Sequence, residues 1–286
     1  MGAKKVVEAV CAAVAMIKIP NRKLFVSQPD PRLFGNPQNA KNDPNWTNAN
    51  WLKSRFHFSF AEYRNHQNSQ FGVLRVMNDD LVQPARGFGA HGHSDMEIIT
   101  YIVDGELTHQ DSMGTSESLG RGAVQFMSAG TGVRHSEHNV HPTEPARFIQ
   151  SWIIPRKRGV TPNYGSATGE KCNRANKWAH VLSDFENKTV ETCVKVHQDV
   201  NMYVTECESG ISLPIKIASG RQAYLLQIEG SGSYVDTSSN VTIELERHDA
   251  MEISANSDIN VTAGAQGAHI LYFEMAEVAG SGRGDL

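Results

Sequence analysis

What most limits the fold of this chain is the shortness of its apolar runs. They often alternate, and clusters of Gly, Asn, Asp or Ser separate them: "FHFSF", "FGVLRVM", "MEIITYIV", "AVQFMSA" and "ARFIQSWII". Alternation places successive side chains on opposite faces of a strand, and turn residues at such intervals interrupt any helical period. The expectation is an all-β fold made of small sandwiches or barrels. A chain of 286 residues is long enough for two of them. A second β-rich set follows: "NMYVTECESG", "RQAYLLQIEGSGSYV", "VTIELERHDAMEIS" and "AHILYFEMAE". Both sets share a rhythm. A strand enters a glycine turn ("TYIVDG", "LLQIEG"), and the next strand is reached through a turn with a basic residue ("LGRGAVQFMSAG", "ELERHDAMEISA"). This predicts an internal duplication.

The expected boundaries are a first unit over 24–158, a linker over 159–175 in a Pro-, Gly- and charge-rich stretch, a second unit over 176–277 and a disordered tail over 278–286. Residues 1–23 are expected to form an extension, helical or disordered. Val6, Val10, Val14 and Ile17 recur at helical spacing beside Lys4, Lys5 and Lys18, which leaves organelle targeting open. The apolar part is interrupted by Glu8 and is too short to span a bilayer. The polar run 36–50 carries no readable function. A net charge of −4 with both signs scattered argues against direct nucleic-acid binding and against a membrane surface. Cys11, Cys172, Cys193 and Cys207 form no CxxC pair, which excludes a zinc ribbon or a thioredoxin-type motif. They read as small buried apolar residues in a reducing compartment, so a cytoplasmic monomer is expected, nuclear as well in a eukaryote.

Chemistry concentrates in two places. In "GFGAHGHSDMEIITYIVDG", His91 and His93 are i and i+2, so on an extended chain they share a face. About forty residues on, "AGTGVRHSEHN" places His135 and Glu137 at the same spacing. Two such pairs on neighbouring inward-facing strands would bring three imidazoles and a carboxylate around one cation, a donor set suited to Fe, Mn, Ni, Cu, Co or Zn. His138 has the opposite parity and should point outward, and His109 and His141 lie in turn-like contexts. Glu97 shares the parity of His93 and stands as either a fifth ligand or an acceptor that orients a ligand histidine.

These residues resemble the cupin superfamily: His91-Gly92-His93, then Glu97, then Gly105 for its first motif, and Gly122, Gly130, His135 and Asn139 for its second. Within it, "FGVLRVMNDD", "GFGAHGHSDMEIITYIVDGELTHQDSMG", "VQFMSAGTGVRHSEHN" and "HQDVNMY" are similar to stretches of the pirin family over residues 24–276. The resemblance implies two tandem cupin (jelly-roll) barrels packed face to face. It implies one divalent metal, most often Fe(2+), on His91, His93, His135 and Glu137, with Glu97 outside the ligand set. It implies no metal in a degenerate second barrel, where His197, His248 and His269 are isolated. The chain departs from the family in having Gly92 where Pro is usual between the ligand histidines, and in Phe56-His57-Phe58-Ser59-Phe60.

Many pirins have quercetinase activity, so the expected function is quercetin 2,3-dioxygenase-type oxidation of a flavonol-like substrate by dioxygen. Glu137 would be general base, and Phe58, Phe126 and Met127 would form pocket walls. The alternative implied by the family is an iron-dependent, redox-sensing binding protein with a protein partner in transcription or metabolism. A third reading is a structural bicupin with an unused site.

Overall fold

The computed structural model of the chain describes residues 15–41 and 50–277. The expected helix at Val6, Val10 and Val14, the position Cys11 and the tail lie outside these residues. Three short 3-10 turns (Asn21–Lys23, Leu33–Gly35, Pro37–Ala40) are the helical elements among the described residues; the rest is strand and loop. No described helix is long and apolar enough to cross a membrane.

The first barrel has two sheets. A seven-stranded sheet runs, in spatial order, Asn163–Ala167, Val124–Ser128, Glu97–Asp104, Ala146–Ile153, Leu74–Val82, Leu52–Phe56, Phe25–Ser27. A four-stranded sheet opposes it, in the order Gly87–His93, Val133–His138, Glu106–Asp111, Ser116–Gly120. Between them, Trp51, Leu52, Val82, Ile102, Leu107, Leu119 and Phe148 form an apolar core. The second barrel is one nine-stranded sheet that folds over on itself. Its strands Arg221–Asp236 and Ser257–Ala276 have 16 and 20 residues and pair with each other across two register shifts. Bulges of this kind let long strands bend around a barrel.

The largest core lies between the barrels. Ile99, Tyr101, Val103, Val124, Phe126 and Ile149 of the seven-stranded sheet pack with Val181, Met202, Tyr224, Leu226, Leu271 and Phe273 of the second unit. Each of these sheets is therefore apolar on both faces, which explains the near-continuous hydrophobic run of "MEIITYIV".

The duplication expected from sequence is present in the backbone. Ile102 N–H donates to Ala123 O, Gly122 N–H to Ile102 O and Ala123 N–H to Gly120 O. In the second barrel Gln227 N–H donates to Asp249 O, His248 N–H to Gln227 O and Asp249 N–H to Glu246 O. Gly122 (φ 77°) and His248 (φ 71°) hold the same left-handed position. Gly105 (φ 70°) and Gly230 (φ 67°) are likewise equivalent; a Cβ on either would come within 2.3 Å or 2.1 Å of a carbonyl oxygen, so only glycine fits.

Two expected boundaries change. Residues 16–19 are not part of a helix. Met16–Ile19 is a strand that pairs antiparallel with Ala250–Ile253 in the second barrel, with Met16 and Ile19 buried and Ile17 outward. Sheet pairing overrides the weak helical spacing that placed Ile17 with Val6 to Val14. Within the expected linker, Asn163–Ala167 is the edge strand of the first barrel, paired with Val124–Ser128. Its Gly- and Ser-containing sequence hid a strand whose pairing comes from the neighbouring backbone.

Candidate metal centre

The short sheet brings the two histidine motifs together. Its strands Gly87–His93 and Val133–His138 pair antiparallel with His135 directly opposite His91 and Val133 opposite His93. A register shift between His135 and Glu137 twists the strand locally, and both residues stay buried (3% and 2% exposed). The ring centroids of His91, His93 and His135 are 4.5–4.8 Å apart. Their ligating nitrogens lie within 4.8 Å of one another.

His91 Nδ1 is 2.8 Å from Gly89 O. Nδ1–H therefore donates there, leaving the Nε2 lone pair free. That Nε2 is 3.1 Å from His135 Nε2. Two nitrogens bound to one cation at right angles, each about 2.1 Å from it, would be about 3 Å apart, so the spacing fits a shared metal. Burial pushes the His93 and His135 pKa values down to about 3, with the neighbouring histidines adding to it. Both rings are then neutral, as ligands must be.

Glu137 completes the donor set from the same strand. Gln125 Nε2 and Thr100 Oγ1 donate to its Oε1 at 3.2 and 3.3 Å, and Gln150 Nε2 to its Oε2 at 2.7 Å. These three partners sit on the facing sheet and aim the carboxylate. With His135 and His109 it forms a second close group. His109, assigned to a turn from sequence, is instead on a strand and fully buried. Its Nε2 is 3.0 Å from Asp111 Oδ2, and its ring stacks on Tyr164 at 4.6 Å and lies 5.3 Å from His135. The parity of Leu107, His109 and Asp111 in "GELTHQDSMG" is the signal that places it inward. His138 is half-buried beside Gly87. His141 caps a turn by accepting the Glu144 N–H at Nδ1, 2.8 Å away.

Glu97 is no ligand. Its strand starts after a left-handed turn at Asp95 (φ 50°), which breaks the parity carried over from His93. Thr100 faces the barrel interior and Glu137, so Glu97 faces the interdomain core with Ile99 and Tyr101. Ser128 Oγ donates to it at 2.6 Å. Burial raises its pKa, opposed by Ser128 and His197. Glu97→Gln is expected to leave metal content per chain unchanged by elemental analysis; a loss of metal would return Glu97 to the site.

A cavity opens beside His91, His93 and Glu137. Phe34, Leu52, Phe56, Phe60, Phe88 and Trp152 supply its apolar wall, and Asn78, Asp80 and Gln150 its polar side. The expected wall residues are elsewhere. Phe58 and Phe126 belong to the interdomain core, and Met127 packs with Ile98 and Val133. Phe56 and Phe60 share the parity of Phe58, but the strand ends at Phe56, so alternation no longer decides where Phe58 points. Of the run 36–50, residues 36–41 and 50 are described, and within them Asn39 braces the strand that carries Phe88 and His91. Asn39 exchanges hydrogen bonds with Gly87 backbone at 2.9 and 3.1 Å, and just ahead of it Phe34 packs edge-on against Phe88, Trp51 and His91. At Gly92 a Cβ would meet nothing nearer than 3.9 Å, so crowding does not require glycine between the two histidines.

Asp80 is buried in the cavity wall (3% exposed). Burial, with Asp79 and Glu137 nearby, pushes its pKa up to about 8 against a hydrogen bond from Ser54. The usual unfolded value is about 3.9. Between those two values the folded chain holds a proton that the unfolded chain lacks, so the group's stability contribution falls as pH rises towards 8. Asp80→Asn should gain on the unaltered chain in urea midpoint between pH 5 and pH 8; parallel curves would refute the assignment.

Tandem cupin barrels with a histidine–glutamate cluster in the first define a bicupin of metal-site type. The chain belongs to the pirin family. The family model Pirin matches residues 39–153, and the model of the quercetinase C-terminal cupin domain matches 185–275. A quercetin 2,3-dioxygenase of Escherichia coli K12 is 37% identical over 77% of this chain and 94% of its own length. A putative quercetin 2,3-dioxygenase of Pseudomonas aeruginosa is 36% identical over 80% and 94%. The crystal structure of YhhW from Escherichia coli superposes with a TM-score of 0.76 at 30% identity, over 92% of this chain and 98% of that one. The structure of bacterial pirin YhhW in complex with nickel(II) gives 0.74 at 30% identity, over 92% and 100%.

Proposed function

We propose that the chain is a metal-dependent dioxygenase acting on flavonol-like substrates with dioxygen, with His91, His93, His135 and Glu137 as the ligands of one divalent metal, most simply Fe(2+). The observation that carries this is the 3.1 Å approach of two imidazole nitrogens beside an aromatic-walled cavity. A relative with a nickel(II)-bound structure and relatives named quercetin 2,3-dioxygenase support it. The metal, when bound, supplies Lewis-acid charge and a template for the substrate oxygens and dioxygen.

The chain's own residues supply the rest. Trp152, packed at 4.8 Å against His93, and Phe34, Phe60 and Phe88 offer flat surfaces on which an aromatic substrate can lie next to the ligands. Glu137, aimed by Gln125 and Gln150, is placed to take the proton of a substrate enol hydroxyl as general base. The buried Asp80 keeps a second carboxyl in the wall in its protonated form near neutral pH, able to donate a hydrogen bond to a substrate oxygen.

The test is carbon monoxide release. Protein loaded anaerobically with ferrous iron, then given quercetin and oxygen, should release carbon monoxide well above a His135→Ala control. Equal release from the two proteins would end the dioxygenase reading.

A further inference from the structure

We infer that Cys172 and Cys193 are an oxidisable dithiol, a site of reversible disulfide formation at the seam between the barrels. Their sulfur atoms are 2.8 Å apart, closer than two sulfurs ordinarily rest without a bond, and both are free thiols. The pair is 21 residues apart in sequence, so the fold alone brings it together.

Both cysteines are held from two sides. Cys172 lies in the crossover between the strands Asn163–Ala167 and Ala179–Asp184 and is 2% exposed. Next to it, Arg174 bonds Glu206 Oε1 at 2.9 Å and Gly169 O at 3.2 Å. Cys193 precedes the edge strand Val194–Val196, which pairs in parallel with Ala179–Asp184. The adjacent Thr192 hydroxyl is 2.8 Å from Ser183 Oγ. Neither sulfur has to travel far to meet the other, and the anchors keep them facing.

The two thiols differ in a way that gives each a role. Cys193 is partly exposed and Cys172 is buried. A hydrogen bond from Cys172 holds the Cys193 pKa below the usual thiol value against its own burial, and the same contact raises Cys172. Cys193 is then the thiolate that meets an oxidant, here a peroxide. Its sulfur attacks the peroxide oxygen, the S–O bond forms, the O–O bond breaks, and the departing hydroxide takes up the proton that Cys193 had released to solvent, giving water. Cys172 sulfur attacks the sulfenic acid, the S–S bond forms and the S–O bond breaks. The departing hydroxide takes the Cys172 proton. Two thiols and one hydrogen peroxide give one disulfide and two waters. The product ties the crossover of the first barrel to the edge strand of the second, and a thiol reductant reverses it.

Trypsin separates the two cysteines, because Lys171 and Arg174 flank one and Lys188 and Lys195 the other. Full-length reduced protein is treated with a small excess of hydrogen peroxide, denatured in acid, alkylated and mapped by mass spectrometry. Two of the four cysteines should resist alkylation, in one cross-linked peptide pair holding Cys172 and Cys193, and dithiothreitol should restore all four. In native reduced protein, Cys193 should alkylate at least ten times faster than Cys172. Cys207→Ser should keep the cross-link and Cys193→Ser should lose it. Four free thiols after peroxide, a cross-link to Cys11 or Cys207, or overoxidised Cys193 without a cross-link would each overturn the proposal. Because the map is read on the unaltered chain, the outcome does not depend on any variant folding.

Discussion

His135→Ala, purified beside the unaltered chain, is expected to carry a tenth or less of its metal per chain and to release no carbon monoxide from quercetin. His135 is shared by both close donor groups, one with His91 and His93 and one with His109 and Glu137. Its Nε2 sits 3.1 Å from that of His91. Losing a group that merely orients a ligand typically costs about 10- to 100-fold in affinity, and losing a ligand should cost at least that. His138→Ala is the control. It alters a half-buried histidine on the same strand that belongs to neither donor group, so its metal content should match the unaltered chain. If His135→Ala retains stoichiometric metal by elemental analysis, the metal lies elsewhere and the four-residue assignment is wrong.

The largest stability effect is expected at Arg147. Its guanidinium grips Asp79 with two hydrogen bonds of 2.8 Å and donates to Ile228 O of the second barrel at 2.9 Å. His248, also from the second barrel, reaches the same carboxylate at 2.6 Å. Asp79 is 1% exposed. Burial would raise its pKa, but Arg147 and His248 outweigh burial and hold it well below the usual carboxylate range. Arg147→Met leaves that carboxylate buried without its main counter-charge, and such losses typically cost about 3–5 kcal/mol.

Urea unfolding at pH 7 should show a loss of that size, and Asp79→Leu combined with Arg147→Met should recover part of it. Asp79 has a depressed folded pKa, so its contribution is present above the unfolded value of about 3.9 and is lost as pH falls below it. The gap between Arg147→Met and the unaltered chain should therefore narrow below about pH 4. An unchanged urea midpoint at pH 7 would show that this bridge between the barrels is dispensable.

These two sites differ in how far the sequence announces them. The histidine–glutamate cluster is legible because its logic is local. His91 and His93, like His135 and Glu137, stand two positions apart on strands, and strand geometry sends such neighbours to one side. Glu97 shows where that logic stops. Parity counts only along one uninterrupted strand, and the turn at Asp95 resets it. His109 follows a glycine turn, so its immediate context reads as turn, although Leu107 and Asp111 keep its parity on the strand Glu106–Asp111. His248 and His269, isolated in sequence, gain their meaning from the other barrel: the first meets Asp79 and the second Tyr101 Oη at 2.9 Å, with Glu229 of its own barrel at 3.2 Å. In the second barrel Ser212–Ile217 pairs with the start of Ser257–Ala276 as the two histidine strands pair in the first, but these strands carry Ile215, Ile217, Ile259 and Val261, all buried. Apolar side chains there stand where the histidine cluster stands in the first barrel.

Alone, the sequence determined the all-β class, the duplication, the family resemblance and the pairing of histidine motifs. All of these depend on periodicity and turn chemistry within a few residues of chain. Only the tertiary structure decided which aromatic rings wall the cavity, that Met16–Ile19 closes the second barrel, that Arg147 bridges the barrels and that Cys172 meets Cys193. Each of these is a contact between segments distant in sequence, set by strand register and by sheet-on-sheet packing, and no local pattern records which distant surface a given face will meet.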